Sequence, residues 1–158
     1  MSDLEPAAVR CLERTRSAVL NVLVVVAAGI AGSGIVLGRR DRGVLLWPER
    51  TTQRATHAAL LLLIVASFMV RRVLGSRSAL RDPDTRCVQF YRAHVIGAIV
   101  GALAVPLGFA YGWGVRPLLD AVIPFWLTAL ALGVLALPRA YELADFDAAM
   151  SEPSEPRP

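Results

Sequence analysis

The sequence predicts an all-α membrane protein in which four transmembrane helices form two tandem helical hairpins. Three observations predict it. The 158-residue chain is 55% hydrophobic and only 19% charged, with a mean hydropathy of +0.51. Its charges are gathered into arginine-dense stretches between uncharged runs, the pattern of a polytopic membrane protein. Those runs number four, and each approaches the about 20 apolar residues that a bilayer-crossing helix needs.

Residues 1–16 form a charged N-terminal segment with Arg10, Glu13, Arg14 and Arg16. The first span covers 17–38 without a charge and ends in GIAGSGIVLG. Those glycines approach a phosphate-cradling loop, but such a loop needs a preceding strand and an acidic residue about 20 positions on. Here an apolar run from Val22 leads straight in, and Arg39-Arg40 closes it, so the stretch is read as helix. A cleavable signal peptide is the weaker reading, because the apolar stretch is too long for its core. The second span covers 55–75, since Arg71 and Arg72 can snorkel to the surface. A basic loop, 76–92, leads to the second hairpin, with spans 93–115 and 117–138. Pro106 and Pro124 should kink these two helices. The tail, 139–158, ends in the polar, proline-rich SEPSEPRP, for which disorder is predicted. Its acids Glu142, Asp145 and Asp147 are read as a solvated helix end, with the arginines of the 71–92 loop as the other option.

Four spans put both termini on one side. That side holds eleven arginines and the opposite loops hold six (Arg39, Arg40, Arg42, Arg50, Arg54 and Arg116). The positive-inside rule therefore places both termini in the cytoplasm of a multi-pass protein of the inner cell membrane. The arginines read as topology signals and contacts for anionic lipid headgroups, not as a nucleic-acid surface. Trp47, Tyr111 and Trp113 would mark the outer interface, and Phe90, Tyr91 and Tyr141 the inner one. Cys11 and Cys87 fall on the cytoplasmic side and are expected to stay unpaired and reduced.

Small residues recur at helical spacing. At about 100° per residue, Ala27, Ala31, Gly34 and Gly38 share one stripe of the first span. Gly97, Gly101, Ala104, Gly108 and Gly112 make a longer stripe on the third. Small-xxx-small spacing lets helix backbones approach closely, so these two spans are expected to pack tightly together or to line the inside of an oligomer. Sliding the chain by 70 positions lays Gly38 on Gly108 and Ala31 on Gly101, which suggests duplicated halves.

With its Gly32-Ser33-Gly34, Gly38, Gly97, Gly101, Gly108 and Gly112, the chain resembles the proteolipid (c-subunit) superfamily of rotary ATPases over roughly residues 15–140. It is also similar to uncharacterised bacterial four-helix proteins whose last helix ends in Pro-Arg, here Pro138-Arg139. The proteolipid resemblance implies helical hairpins assembled into a larger complex. One departure stands out: an ion-carrying proteolipid needs a carboxylate near mid-membrane, and no span has one. Asp120, in the first turn of the fourth span, can pair with Arg116 at i−4, and these two are the candidate ion path.

No triad, HExxH motif or paired carboxylates occur at a plausible shared site, and no cofactor or metal is expected. His57 and His94 lie near span entrances on opposite sides, where they cannot readily share a metal. The expected function is non-enzymatic: assembly, through helix packing, as a homo-oligomer or as a subunit of a larger membrane complex. The alternative is translocation of an ion or small molecule along Arg116 and Asp120.

Overall fold

The computed structural model describes residues 6–39, 47–76, 83–115, 119–139 and 142. Among them no strand occurs. The elements are α1 (Pro6–Gly38), α2 (Glu49–Ser76), α3 (Pro83–Ala102), α4 (Ala104–Gly114) and α5 (Leu119–Leu135). Three helical stretches are long and apolar enough to cross a membrane: Val9–Gly38, Glu49–Gly75 and Cys87–Gly114, the last running through α3 and α4. α5 is a shorter apolar helix.

The helices start earlier than the apolar runs. α1 begins at Pro6 and α3 at Pro83, where a proline at the first helical position sacrifices only an N–H that has no intrahelical partner. α2 begins at Glu49, whose carboxylate favours the positive end of the helix dipole. The charged turns carrying Arg10, Arg14 and Arg16 are therefore helix, and so is the second half of the expected 76–92 loop. Hydropathy marks what a bilayer would bury; backbone hydrogen bonding runs on past that boundary.

The α3–α4 junction lies one turn before Pro106. A proline has no N–H for the carbonyl four residues back, here Ala102, and its ring crowds that carbonyl. The chain responds with a tighter turn, Leu103 N–H donating to Val100 O at 3.2 Å, before Leu107 N–H resumes the helix on Leu103 O at 3.2 Å. Pro124 stands inside α5, which runs through it. There the Thr128 hydroxyl donates to Pro124 O at 2.7 Å.

α3 and α4 form the centre. α1 and α2 each pack against α3 and hardly touch one another, and α5 closes against α4, α3 and α1. The first two long helices are thus neighbours of a shared centre and not a packed pair. The core holds Val26, Leu60, Ala104, Val105, Tyr111, Val115, Phe125 and Ala129. Tyr111, expected at an interface, is buried beside Phe125, with ring centroids 5.7 Å apart.

Glycines set how closely α5 approaches. A Cβ placed on Gly101 would stand 2.7 Å from Leu132 Cβ, and one on Gly108 would stand 2.6 Å from Phe125 Cβ. One on Gly112 would meet Val122 at 2.7 Å and Leu37 of α1 at 2.9 Å, and one on Gly97 would meet Arg71 of α2 at 2.8 Å. Ala104, between them, is fully buried. The stripe on α3 and α4 is therefore a set of slots that receive large side chains, mostly from α5.

The stripe on α1 does not face α3. Ala27, Ala31 and Gly38 are exposed and Gly34 is half-buried, with Trp126 of α5 at 3.5 Å from where its Cβ would stand. α1 turns Cys11, Thr15, Val19, Val26, Ser33 and Leu37 inward instead. Those residues also follow helical spacing, and their larger side chains make more dispersion contacts than a methyl group can.

Cys11 and Cys87 are joined by a disulfide, which corrects the expectation of two unpaired thiols. The bond ties α1 to α3 near their N-termini across 76 residues of sequence. The paired positions cannot be read from spacing, because the packing of α1 on α3 is what brings them together.

Three outcomes follow for stability. Gly108→Leu should lower the unfolding free energy by about 3 kcal/mol, the upper range for overpacking, whereas Gly38→Ala, with nothing within 4 Å of the added Cβ, should leave it unchanged or slightly raised; thermal unfolding in detergent reads both. Reduction of the Cys11–Cys87 bond should cost about 4 kcal/mol, the entropy of closing a loop of that length in the unfolded chain. An unchanged melting curve under reductant would show that the bond does not constrain the unfolded chain.

Candidate functional site

The densest set of polar contacts gathers at the C-terminal end of α5. A helix leaves its last carbonyls without intrahelical donors, and a buried carbonyl must find one elsewhere. α5 stops at Leu135, just before Pro138. Its terminal carbonyls are satisfied by side chains of two other helices. The Arg71 guanidinium of α2 donates to Leu135 O at 2.6 Å, and Nδ1 of His94 on α3 stands 2.7 Å from Ala136 O. A carbonyl can only accept, so Nδ1 carries the hydrogen. The Arg71 cation at this end also complements the negative pole of the α5 dipole.

Glu142 completes the set. Its carboxylate lies 3.8 Å from Arg71 and 3.5 Å from Nε2 of His94. It also accepts from the backbone N–H of Arg139 at 3.3 Å, while the N–H of Glu142 donates to Arg139 O at 3.1 Å. Glu142 is thereby held against α2 and α3. His94 is only 6% exposed, with the Phe90 ring 4.4 Å away. One turn further along α3, Gly97 O accepts from the buried Ser67 hydroxyl of α2 at 3.0 Å. Gly97 admits Arg71 here, since a larger residue would collide with the arginine stem.

Elsewhere the predicted residues are dispersed. Asp120 sits exposed in the first turn of α5; Arg116 lies outside the described residues, as do Arg40, Arg42, Tyr141, Asp145 and Asp147. His57 packs edge-on against Tyr111 and Phe125, with Nδ1 2.8 Å from Gln53 O. It sits beside the first half of α5, whereas His94 sits at its end. Asn21 is exposed on α1. Trp47 donates its backbone N–H to Gly114 O at 3.1 Å and lays its ring over that glycine, pinning the start of α2 to the end of α4. Among the described residues no group of three His, Cys, Asp or Glu side chains is placed to hold a metal ion.

Sequence reasoning reached part of the polar set. The pairing of tail acids with arginines of the 71–92 loop was one of its two options, and Glu142 with Arg71 takes that option. The roles of Ser67 and His94 were missed. The available signal was spacing: Ser67 and Arg71 are four residues apart on α2, so both face the same neighbour.

The chain matches no protein-family model, no curated protein and no solved structure.

Arg71→Leu should destabilise the protein by about 0.5–1.5 kcal/mol, the net worth of its exposed hydrogen bond to Leu135 O. Arg71→Lys, which keeps the charge and one donor, should recover part of it. Chemical denaturation in detergent measures both, and a neutral Arg71→Leu would show that water satisfies that carbonyl.

Proposed function

We propose that this chain is a non-enzymatic integral membrane protein that acts by assembling, with itself or as a subunit of a larger membrane complex. The observation that carries this reading is the exposure of its most apolar surfaces. The apolar windows of Val9–Gly38 and Glu49–Gly75 are each only 11% buried within the molecule, against 44% for Cys87–Gly114. Large side chains such as Val24, Val25, Leu61, Leu62 and Phe68 point outward. In water such a surface would drive aggregation. In a bilayer it is solvated by lipid tails.

Within that outer surface, Ala27, Ala31 and Gly38 are left open on α1. In lipid, where no hydrophobic drive separates helix from solvent, association relies on such close approach. The small residues of α3 and α4 are occupied inside the molecule, so those of α1 are the ones available to another chain. The partners of this reading are the lipid bilayer, a second copy or other membrane-protein subunits, and anionic lipid headgroups at exposed arginines such as Arg14, Arg16, Arg72 and Arg92.

The proposed orientation keeps the termini in the cytoplasm of the inner cell membrane, on the eleven-to-six arginine distribution. The Cys11–Cys87 pair lies at that same end, and in a reducing cytoplasm it would be held as two thiols. A C-terminal fusion to a reporter active only in the cytoplasm should be active. Activity from an exported reporter instead would reverse the orientation and make the disulfide constitutive.

Native mass spectrometry from lipid nanodiscs should show an assembly that Ala31→Phe dissolves while the melting temperature stays unchanged. A lone monomer for the wild-type chain, both alone and in extracts of its own membrane, would defeat the reading.

A further inference from the structure

The contacts of His94 are asymmetric. Nδ1 faces Ala136 O at 2.7 Å, and Nε2 faces the Glu142 carboxylate at 3.5 Å. Both partners are acceptors when the carboxylate is ionised, and a neutral imidazole has one N–H only. With that hydrogen committed to Ala136 O, the neutral ring turns a lone pair towards a carboxylate. Adding one proton at Nε2 replaces two opposed acceptors with a charge-assisted hydrogen bond. The same ring therefore holds α5 in either state and holds Glu142 well in one state only.

We propose that His94 and Glu142 form a proton-operated clasp, which fastens Glu142 to the α2–α3 end of the bundle when Nε2 is protonated and loosens it when the proton leaves. The groups facing the ring are few. α2 contributes Arg71 and the segment after α5 contributes Glu142, the two charges that act on it. α5 contributes the Ala136 carbonyl, and α3 itself contributes Phe90. Arg71 contacts Leu135 O and Glu142 without using the His94 ring, so loss of the proton weakens the clasp without freeing α5. Glu142 is 26% exposed, which gives the proton a route to water. The clasp is independent of assembly: it concerns how Glu142 is held, whatever the outer face of α1 contacts.

Hydrogen-exchange mass spectrometry tests this on the full chain in detergent at about pH 4.5 and about pH 8.5, which bracket the usual histidine range widely. After correction for intrinsic exchange, the amides of Arg139 and Glu142 should be about tenfold better protected at the lower pH, the scale of one charge-assisted hydrogen bond. The amides of α3 and α4 should not change. In His94→Gln the side-chain amide can still donate to Ala136 O, so the fold is kept and the pH difference should vanish; Glu142→Gln should abolish it too. Equal protection of wild type at the two pH values, or a difference that survives in His94→Gln, would overturn the proposal. Ring 15N shifts of the wild-type chain give a check that needs no variant. Nδ1 should stay protonated throughout while Nε2 changes state, and a neutral ring protonated at Nε2 would equally overturn it.

Discussion

The approach of α5 to the glycines of α3 and α4 sets the geometry of the whole molecule. Leu132, Phe125 and Val122 sit where side chains at Gly101, Gly108 and Gly112 would otherwise be. That closeness lets Phe125 and Val122 become fully buried in a bundle with so little interior. It also brings the end of α5 within reach of α2, although the two helices share only a small contact. Arg71 spans the gap along the slot left by Gly97 and caps the helix. The polar set at that end thus depends on apolar packing several turns away.

The column keeps its partner across the tight turn before Pro106. Gly101 receives Leu132 of α5 before the turn, and Gly108 and Gly112 receive Phe125 and Val122 of α5 after it, while Arg71 enters at Gly97 and Leu37 at Gly112. One stretch of sequence can then serve α2, α5 and α1 in turn, as befits the central position of α3 and α4.

How much of this was legible in the sequence depended on whether a feature is local. The existence of long apolar helices was legible, since hydropathy and length suffice. Their starts at Pro6, Glu49 and Pro83 were not, because the charged first turns carry no apolar pattern. The small-residue column of α3 and α4 was legible as a column, but its partner was not: periodicity says which residues share a face and nothing about what meets that face. On α1 two columns competed, one small and one built from Val19, Val26 and Leu37, and the bulkier one turned inward. A histidine near the start of an apolar run reads alike whether it ends in water or under Phe90, so the burial of His94 needed the fold. The partnership of Cys11 with Cys87 needed it too, since it spans 76 residues.

Whenever it is formed, that last bond closes a covalent ring. It runs from Cys11 along α1, through α2 and into α3 before returning across the disulfide. Any single peptide-bond cut between residues 12 and 86, including one in the described turn at Trp47-Pro48, opens the ring without dividing the molecule. The nicked protein would keep its full mass until a reductant released two pieces; for a cut at Trp47-Pro48, one is α1 seated against α3 and the other carries α2 to α5. Before reduction, the two strands would remain as close to one another as in the intact chain, so the nicked form has little entropy to lose on reassembly. A cut after Cys87 has no such protection, and the connection between α4 and α5 is where one scission would set a helix free.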